Sequence, residues 1–284
     1  MEEKKTHKFL NFILFIIVLI ASIVLYSRYI GVKGLIVKEY RVESQILTKN
    51  FSGLKIVHFT DLLYKSTVDE KDLEKLINKI NVLAPDIIVF TGDLVTNIKT
   101  SEKDKEILIK YLSKLDSKIG KYAIYGDHDY MYDDFKIVME ESDFIILNNE
   151  YDTIYNETND PMYIVGLPTS SKEEINLEEA FKFYNEEDRK YIITLIHDGK
   201  TIDKINEANY EVDLILGGHS LNGSVIVPFY GPLFIDDNSG KYFEEKYTKG
   251  ITNIFISSGI GTDKYNFRFN NRPSFNLYRL KSQS

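Results

Sequence analysis

The chain has 284 residues, of which 43% are hydrophobic, so it can bury a large core in one domain and still carry an appendage. Its 43 acidic side chains outnumber its 35 basic ones, which gives a net charge of −8. This balance argues against a protein that grips a nucleic-acid backbone, because such binding needs clustered lysine and arginine. Cysteine is absent, which fits an exported domain without disulfides and fits a cytosolic one equally well.

The amino-terminal region contains an uninterrupted apolar run. After a polar tail at 1–8, residues 9–26 (FLNFILFIIVLIASIVLY) hold one Asn, one Ser and no charge, and this length is enough to cross a bilayer as a helix. A cleaved signal peptide and a buried core helix are the alternatives. Ser27-Arg28-Tyr29 follows the run where a signal peptide would show small residues, and the run has no polar face to present to water. We therefore predict an uncleaved transmembrane anchor.

The orientation of this anchor is less clearly specified. Basic residues stand on both sides of the run, at Lys4, Lys5 and Lys8 before it and at Arg28, Lys33, Lys38 and Arg41 after it. The rule that lysine and arginine accumulate on the cytoplasmic side of a membrane helix therefore does not indicate the orientation of this one. A very short tail before a first helix usually stays inside, so we expect a single-pass protein of the cell membrane with its large domain outside the cytoplasm.

The rest of the chain reads as an α/β domain. Residues 27–53 are predicted to form a membrane-proximal lead-in with an opening strand near 38–42, and the domain itself spans 54–284. Predicted strands lie at 54–60, 86–91, 121–125, 144–148, 161–166, 191–196 and 212–216, and predicted helices at 69–83, 102–115, 132–141, 175–185 and 201–208. This alternation predicts parallel βαβ units. After residue 218 the helices stop, and 224–227, 251–257 and 275–280 are predicted to be strands of a second sheet, which gives two face-to-face sheets with helices outside.

Acidic residues and histidines recur in five short segments, three of which directly follow predicted buried strands. The segments are Asp61-Leu62-Leu63, Gly92-Asp93, Gly126-Asp127-His128-Asp129, His197 and Gly218-His219-Ser220-Leu221. The carboxyl ends of parallel strands form the edge of an α/β sheet where ligands bind. Carboxylate and imidazole groups that converge there suit Mn, Fe, Zn or Mg better than copper.

Taken in order, these segments resemble the motifs of the calcineurin-like metallophosphoesterases, D-x-H, G-D-x-x-D, G-N-H-D/E, a lone H and G-H-x-H. The resemblance is greater to the membrane-anchored or exported bacterial branch with a single domain. It runs from about Leu54 to the end and includes the stretches 218–234 and 267–273. It implies the two-sheet αββα sandwich of the metallo-dependent phosphatases and hydrolysis of a phosphoester by metal-assisted in-line attack of water.

The resemblance also implies two metal ions that share Asp93. For the first ion, at what we call site one, the chain offers Asp61, but Leu63 and Leu221 stand where the family has histidines. The second ion, at site two, would take the shared aspartate and three further ligands, Asp127, His197 and His219. Leucine has no lone pair to donate. We therefore expect one bound divalent ion, either Mn, Fe or Zn, and a weak or empty site one.

The expected catalytic residues are His128, as the acid that protonates the leaving oxygen, and Asp129 beside it. The family aspartate that orients this imidazole is replaced by Thr96. Asp127 replaces an asparagine, and its added charge should tighten the ion. Lys65 could place an ammonium near site one, although a solvent-facing loop lysine is the more ordinary interpretation.

Two kinds of function remain open from the sequence. One is a membrane-anchored phosphoesterase that acts on a phosphodiester or phosphomonoester, such as a lipid headgroup or a cell-envelope phosphate. The other is an inactive relative that binds a phosphorylated ligand or a protein partner. The two leucines favour the second, whereas the retained His128 favours the first. The aromatic residues Phe229, Tyr230 and Phe234 could grip a lipid-like substrate or simply pack a hairpin. A nucleic-acid partner is not expected.

Overall fold

The structure, a computed structural model, describes residues 2–96 and 100–283, with side chains described from residue 7 onward. Its helices are α1 (Glu2–Leu25), α2 (Glu70–Val82), α3 (Glu102–Leu112), α4 (Phe135–Glu141), α5 (Leu177–Ala180) and α6 (Lys200–Glu207). Its strands are β1 (Ile36–Ser44), β2 (Lys55–Phe59), β3 (Ile87–Phe90), β4 (Gly120–Ala123), β5 (Phe144–Ile146), β6 (Glu150–Ile154), β7 (Met162–Gly166), β8 (Ile192–Leu195), β9 (Leu214–Gly217), β10 (Ile226–Val227), β11 (Gly231–Pro232), β12 (Lys246–Lys249), β13 (Thr252–Ile256) and β14 (Ser274–Ser282).

These strands build two six-stranded sheets and one small hairpin. The first sheet has the order β1-β14-β2-β3-β4-β5, and the second has the order β12-β13-β9-β8-β7-β6. Within them β2 to β5 run parallel, as do β7, β8, β9 and β13. One apolar cluster contains side chains from both sheets, and two further clusters join each sheet to its own helices. The predicted α/β sandwich of two sheets with helices outside is confirmed.

The assignment of strands to the two sheets differs from the prediction. The second sheet does not begin after residue 218, since it already contains β6, β7, β8 and β9. The chain changes sheets at the β5–β6 connection, where 147–161 contains β6, a strand that the sequence analysis did not predict. The late strands then join different sheets: β13 pairs with β9 in the second sheet, and β14 pairs with β2 in the first. Hydrophobic periodicity identifies strands but carries no information about which sheet each one joins.

Local sequence signals explain the helix that follows β2. Asp69 caps α2 by accepting hydrogen bonds from the backbone N–H groups of Lys71 and Asp72, and a reciprocal bond completes a capping box. The buried side chains of this helix are Leu73, Leu76, Ile77 and Ile80, which lie on one face at intervals of three and four residues. The helix ends before Pro85. This packing fixes the loop at 60–69, which leads out of β2 and carries part of the candidate site.

The amino-terminal helix stands apart from both sheets. The segment His7–Ile30 has 24 residues and contains an 18-residue apolar window with a mean hydropathy of 2.8, which is not buried against the rest of the described chain. A helix of this length extends about 36 Å, enough to cross a hydrocarbon core of about 30 Å. It is therefore long and apolar enough to be a transmembrane span. It ends in a π-helical turn at Tyr26–Ile30, which meets the domain.

Candidate metal centre

The predicted site residues lie on loops that leave the carboxyl ends of β2, β3, β4, β8 and β9. Several of these loops hold a non-glycine residue in the left-handed region of backbone conformation. Asp61 has φ 49°, Asp93 has φ 60° and His219 has φ 64°. Each such residue costs roughly 1–3 kcal/mol, and this strain is concentrated at functional sites. The strained backbone at these three residues therefore directs their side chains toward one another.

Two glycines allow the carboxylates to approach the backbone. A Cβ atom on Gly126 would lie 2.4 Å from Oδ1 of Asp93, and one on Gly218 would lie 2.5 Å from Oδ2 of Asp61. Any other residue at these positions would displace the two aspartates. The Gly-Asp-His and Gly-Gly-His motifs thus have a steric reason for their glycines.

The centre of site two is formed by Asp93, His197 and His219, whose potential ligand atoms all lie within 4.8 Å of one another. Nε2 of His197 lies 3.5 Å from Oδ2 of Asp93 and 3.3 Å from Nδ1 of His219. Asp127 joins them, because its Oδ2 lies 3.3 Å from the same Nδ1. Four of the predicted metal-binding side chains are therefore brought together.

Hydrogen bonds to the outer nitrogens orient both imidazoles. Nδ1–H of His197 donates to the backbone carbonyl of Thr91 at 2.7 Å, and Nε2–H of His219 donates to Asp236 at 2.9 Å. The hydrogen bond from His219 lowers the pKa of Asp236 to about 2. Each ring therefore turns its remaining nitrogen toward the centre, as metal-binding histidines do. Sequence analysis missed Asp236 because it stands 17 residues beyond His219, in a loop without periodicity.

The donor set fits a divalent cation. Two imidazole nitrogens that face each other at 3.3 Å need either a proton or a cation between them. Burial lowers the pKa of His197, but the charge of Asp93 outweighs burial and raises it well above the usual value. Burial raises the pKa of Asp93, but the neighbouring histidines outweigh burial and hold this pKa well below its usual value. The site thus attracts positive charge, and a divalent ion would supply it.

Site one is different, because two leucines lie beside its remaining carboxylate, which accepts hydrogen bonds from the hydroxyl of Thr60 and the backbone N–H of His219. Leu63 is fully buried and Leu221 is 6% exposed, and both retain a left-handed backbone, with φ 46° and 50°. They pack on the turn at 259–261, where a Cβ on Gly259 would lie 2.7 Å from Leu221 and 2.8 Å from Asp61. Burial raises the pKa of Asp61 above its usual value. The leucines therefore share the left-handed backbone of Asp93 and His219, two of the ligands at site two.

A buried arginine lies beneath the same turn. Nη2 of Arg268 donates to the carbonyls of Ser258 and Gly261 at 2.7 Å each, and its Nε donates to Gly261 at 3.2 Å. Burial lowers its pKa to about 10, although the charge of Asp61 acts to raise it. Sequence analysis included this arginine only as part of the stretch 267–273. Its guanidinium holds the turn and places a positive charge near Asp61.

The two predicted catalytic residues have different surroundings. Nδ1 of His128 lies 3.2 Å from Oδ2 of Asp93, and Nε2 lies 3.5 Å from Oδ1 of Asp263. The first contact is not aligned as a hydrogen bond, so charge attraction holds the ring there. Burial lowers the pKa of His128, but Asp93 outweighs it and raises the pKa to about 9. Asp129 instead accepts backbone N–H groups of Asp93, Leu94 and Gly126, each at 2.8 Å, and its carboxylate fixes the loops.

Lys65 and His58 both have partners that give them a structural role. Nζ of Lys65 lies 2.9 Å from Oδ1 of Asp104, so this lysine pairs with a helix residue in place of filling site one. Nε2 of His58 lies 2.8 Å from the hydroxyl of Thr91, the residue whose carbonyl holds His197. His58 is thus the buried, hydrogen-bonded core residue that its position on β2 indicates.

A pocket of about 350 Å³ opens beside the metal centre. Its polar lining consists of His219, Ser220, Ser224, Asp236, Asp263 and Lys264. Its apolar lining consists of Leu221, Val225, Leu233, Phe234, Ile235, Tyr265 and Phe267. A ligand in this pocket could place a charged group at the metal centre and an apolar group against the apolar lining.

The family model described as calcineurin-like phosphoesterase matches residues 54–223. The chain belongs to this family. It is 31% identical to the uncharacterized metallophosphoesterase YkuE of Bacillus subtilis, with 90% of this chain and 89% of that protein covered. It is 24% identical to the UDP-2,3-diacylglucosamine pyrophosphatase LpxG of Chlamydia muridarum, over 75% and 76% of the two chains. It is 20% identical to a transmembrane protein with a metallophosphoesterase domain from Danio rerio, over 79% and 52%. The family resemblance found in the sequence is confirmed.

Proposed function

We propose that this calcineurin-like phosphoesterase is a membrane-anchored, metal-dependent hydrolase of a phosphodiester or phosphomonoester that carries an apolar group. The observation that carries this proposal is the convergence of two carboxylates and two oriented imidazoles on one centre, with a further imidazole, His128, against Asp93. An imidazole at this position has no duty in holding the ion alone. It therefore supports catalysis over mere ligand binding.

The residues that would hold one ion are Asp93, Asp127, His197 and His219, with Asp61 at the margin. A divalent ion of Mn, Fe or Zn bound there would activate water and neutralise charge on the phosphoryl oxygens. The hydroxyls of Thr169 and Ser171 donate to Oδ1 of Asp127 at 2.9 and 2.5 Å, which leaves its Oδ2 directed toward His219. This support orients the carboxylate that replaces the family asparagine.

His128 would carry the proton for the leaving oxygen. Its Nδ1 faces Asp93, so its Nε2 is the nitrogen that can donate toward a substrate, on the side where Asp263 lies. Asp129 acts indirectly in this proposal, because it fixes the backbone of Asp93 and Gly126 and so positions the imidazole. It is a positioning residue, with no direct contact to the reacting atoms.

The apolar group of the substrate is supported by the pocket and by the anchor. The apolar lining of the pocket consists of leucine, isoleucine, valine and aromatic side chains. LpxG is named as a pyrophosphatase of UDP-2,3-diacylglucosamine, a substrate that carries two acyl groups. A lipid or cell-envelope phosphoester would use both sides of such a pocket. With the anchor in the cell membrane and the domain outside the cytoplasm, such a substrate would lie beside the enzyme.

The proposal is tested with the purified full chain in detergent. Metal content is measured by elemental analysis, and hydrolysis is measured with generic aryl phosphodiesters and aryl phosphomonoesters. We expect activity that requires Mn or Zn, falls at least 100-fold in His128→Gln with metal retained, and is unchanged in the control His7→Gln, which alters a histidine of the amino-terminal helix. A protein that binds metal but hydrolyses neither class, or whose activity survives His219→Ala, would overturn the proposal.

A further inference from the structure

The hairpin at 225–234, which we call the aromatic hairpin, exposes large apolar side chains in unusual density. It contains β10 and β11, and its tip presents Phe229, fully exposed, and Tyr230, 76% exposed. Leu233 and Phe234 follow, each about half exposed, and the ring of Phe234 lies 5.1 Å from that of Tyr265. Water-soluble surfaces rarely place so many such residues together, and a patch of this kind marks an interaction site.

The base of the aromatic hairpin is joined to the end of the apolar helix through one short segment. On one side, the backbone N–H of Arg268 donates to the carbonyl of Ser27 at 3.0 Å, and the rings of Tyr26 and Phe269 meet edge to face at 6.3 Å. On the other side, the backbone N–H of Ile226 donates to the carbonyl of Phe269 at 2.9 Å.

This junction has little freedom to move. A Cβ atom on Gly31 would lie 1.9 Å from the carbonyl oxygen of Arg268, so helix end and domain are in close contact. The guanidinium of Arg268 is in turn bonded to the turn at 259–261. Helix, buried arginine and hairpin therefore form one continuous assembly.

The lengths involved are short. Hydrogen-bonded segments lie about 5 Å apart, so the hairpin base is roughly 10 Å from the helix end. The tip lies three residues beyond the base, about 10 Å further along an extended strand. The headgroup layer on each face of a bilayer is about 5–8 Å thick. A hairpin whose tip is at most about 20 Å from the end of a spanning helix reaches that layer when it extends along the bilayer surface.

The helix end has the composition of a membrane interface. Tyr29 is exposed and Arg28 lies over its ring, with 5.5 Å between guanidinium and ring centre. Tyrosine and arginine at the end of a span are typical of the headgroup region. The polar surface of the bilayer therefore lies at the level of residues 28–30, next to the segment that carries the aromatic hairpin.

We propose that the aromatic hairpin rests in the interfacial layer of the bilayer, beside the anchor, and that the catalytic pocket opens onto the lipid surface there. The inference depends on the anchorage in the proposed function. Phe234 belongs both to the hairpin and to the pocket wall, so the apolar part of a lipid phosphoester can pass from the bilayer to the metal centre along one apolar surface. The occupant of the exposed patch is thus the lipid surface itself.

The absence of cysteine makes a direct test practical. Tyr230→Cys in the full chain is labelled with an environment-sensitive fluorophore and reconstituted in vesicles of phosphatidylcholine and phosphatidylglycerol in equal parts, with and without a spin-labelled lipid that quenches fluorescence. Leu14→Cys, inside the apolar helix, is the positive control. Tyr155→Cys is the matched negative control, because this aromatic residue is 57% exposed and directly follows β6, beside the amino-terminal end of β7 and so at the end of the sheet away from the site.

We expect the label at position 230 to be quenched several-fold more strongly than the label at 155. Equal quenching at 230 and 155, with strong quenching at 14, would overturn the inference and leave the anchor intact. Lack of quenching at 14 as well would overturn the anchor and the inference together. A spectral shift at 230 that vanishes on dilution of protein in lipid would identify a second copy of the chain as the occupant and would also overturn it. None of these outcomes bears on hydrolysis of soluble aryl esters, which tests catalysis separately.

Discussion

Replacement of Leu63 and Leu221 by histidine is expected to create a second divalent site around Asp61. Both leucines already have the left-handed backbone seen at Asp61, Asp93 and His219, so the substitutions require no new loop conformation. Both pack on the turn at 259–261 beside Asp61. With Asp93 shared, the double variant would offer two carboxylates and two imidazoles at site one. Either single variant would offer three ligands and should hold the ion poorly.

The magnitude follows from the burial of the two leucines. Full burial of one leucine side chain stabilises a fold by about 1.5–3 kcal/mol, so loss of both removes roughly 3–6 kcal/mol from the metal-free double variant. A ligand that binds only the folded state at 1,000 times its dissociation constant returns about 4 kcal/mol. Stability of the double variant should therefore depend on added metal by about 4 kcal/mol more than that of the parent.

The assay is thermal denaturation in excess Mn²⁺ and in chelator, together with elemental analysis and turnover of an aryl phosphodiester. Leu63→Asn with Leu221→Asn is the matched control, because it introduces polar groups of similar size that bind transition metals weakly. We expect about one additional ion per chain and faster turnover in the histidine variant only. A folded histidine variant that gains no more metal than the asparagine control would refute the assignment of site one.

Three further predictions concern site two and the core. His219→Ala should lose the ion while keeping the fold, since a loop ligand contributes little to the core; metal-dependent and metal-free melting temperatures should then coincide, and undiminished metal binding would contradict the assignment. Asp127→Asn keeps an oxygen ligand but should weaken metal binding by about tenfold or more through loss of one charge, measured by competition with a chelator; unchanged affinity would exclude this effect of the charge. His58 has a pKa lowered by burial to about 3, from 6.5, so the unfolded chain binds more protons between these values and stability falls as pH drops from about 6.5 to 3. The loss is at most roughly 5 kcal/mol, and His58→Gln should flatten this part of the denaturation profile; an identical slope would show that other groups dominate.

Motif order predicted the site better than periodicity predicted the sheets. The glycine, aspartate and histidine segments had to lie at strand ends, and they do so because parallel strands present their carboxyl ends at one edge. The same pattern is silent on sheet membership, so the crossing at β6 and the opposite destinations of β13 and β14 were found only in the structure. The roles of supporting residues such as Asp236 and Arg268 could not be predicted either, because they depend on loop geometry that produces no regular spacing in the sequence.

The two leucines do more than remove a metal ion. At site one an ion would balance the charge of Asp61, whereas here the buried guanidinium of Arg268 lies near enough to act on that carboxylate. Leu221 also lines the pocket beside His219. Leu221 therefore extends the apolar lining up to the residues of site two. For the amphiphilic substrate that we propose, the leucine would exchange charge stabilisation at one phosphoryl oxygen for apolar contact next to the scissile group.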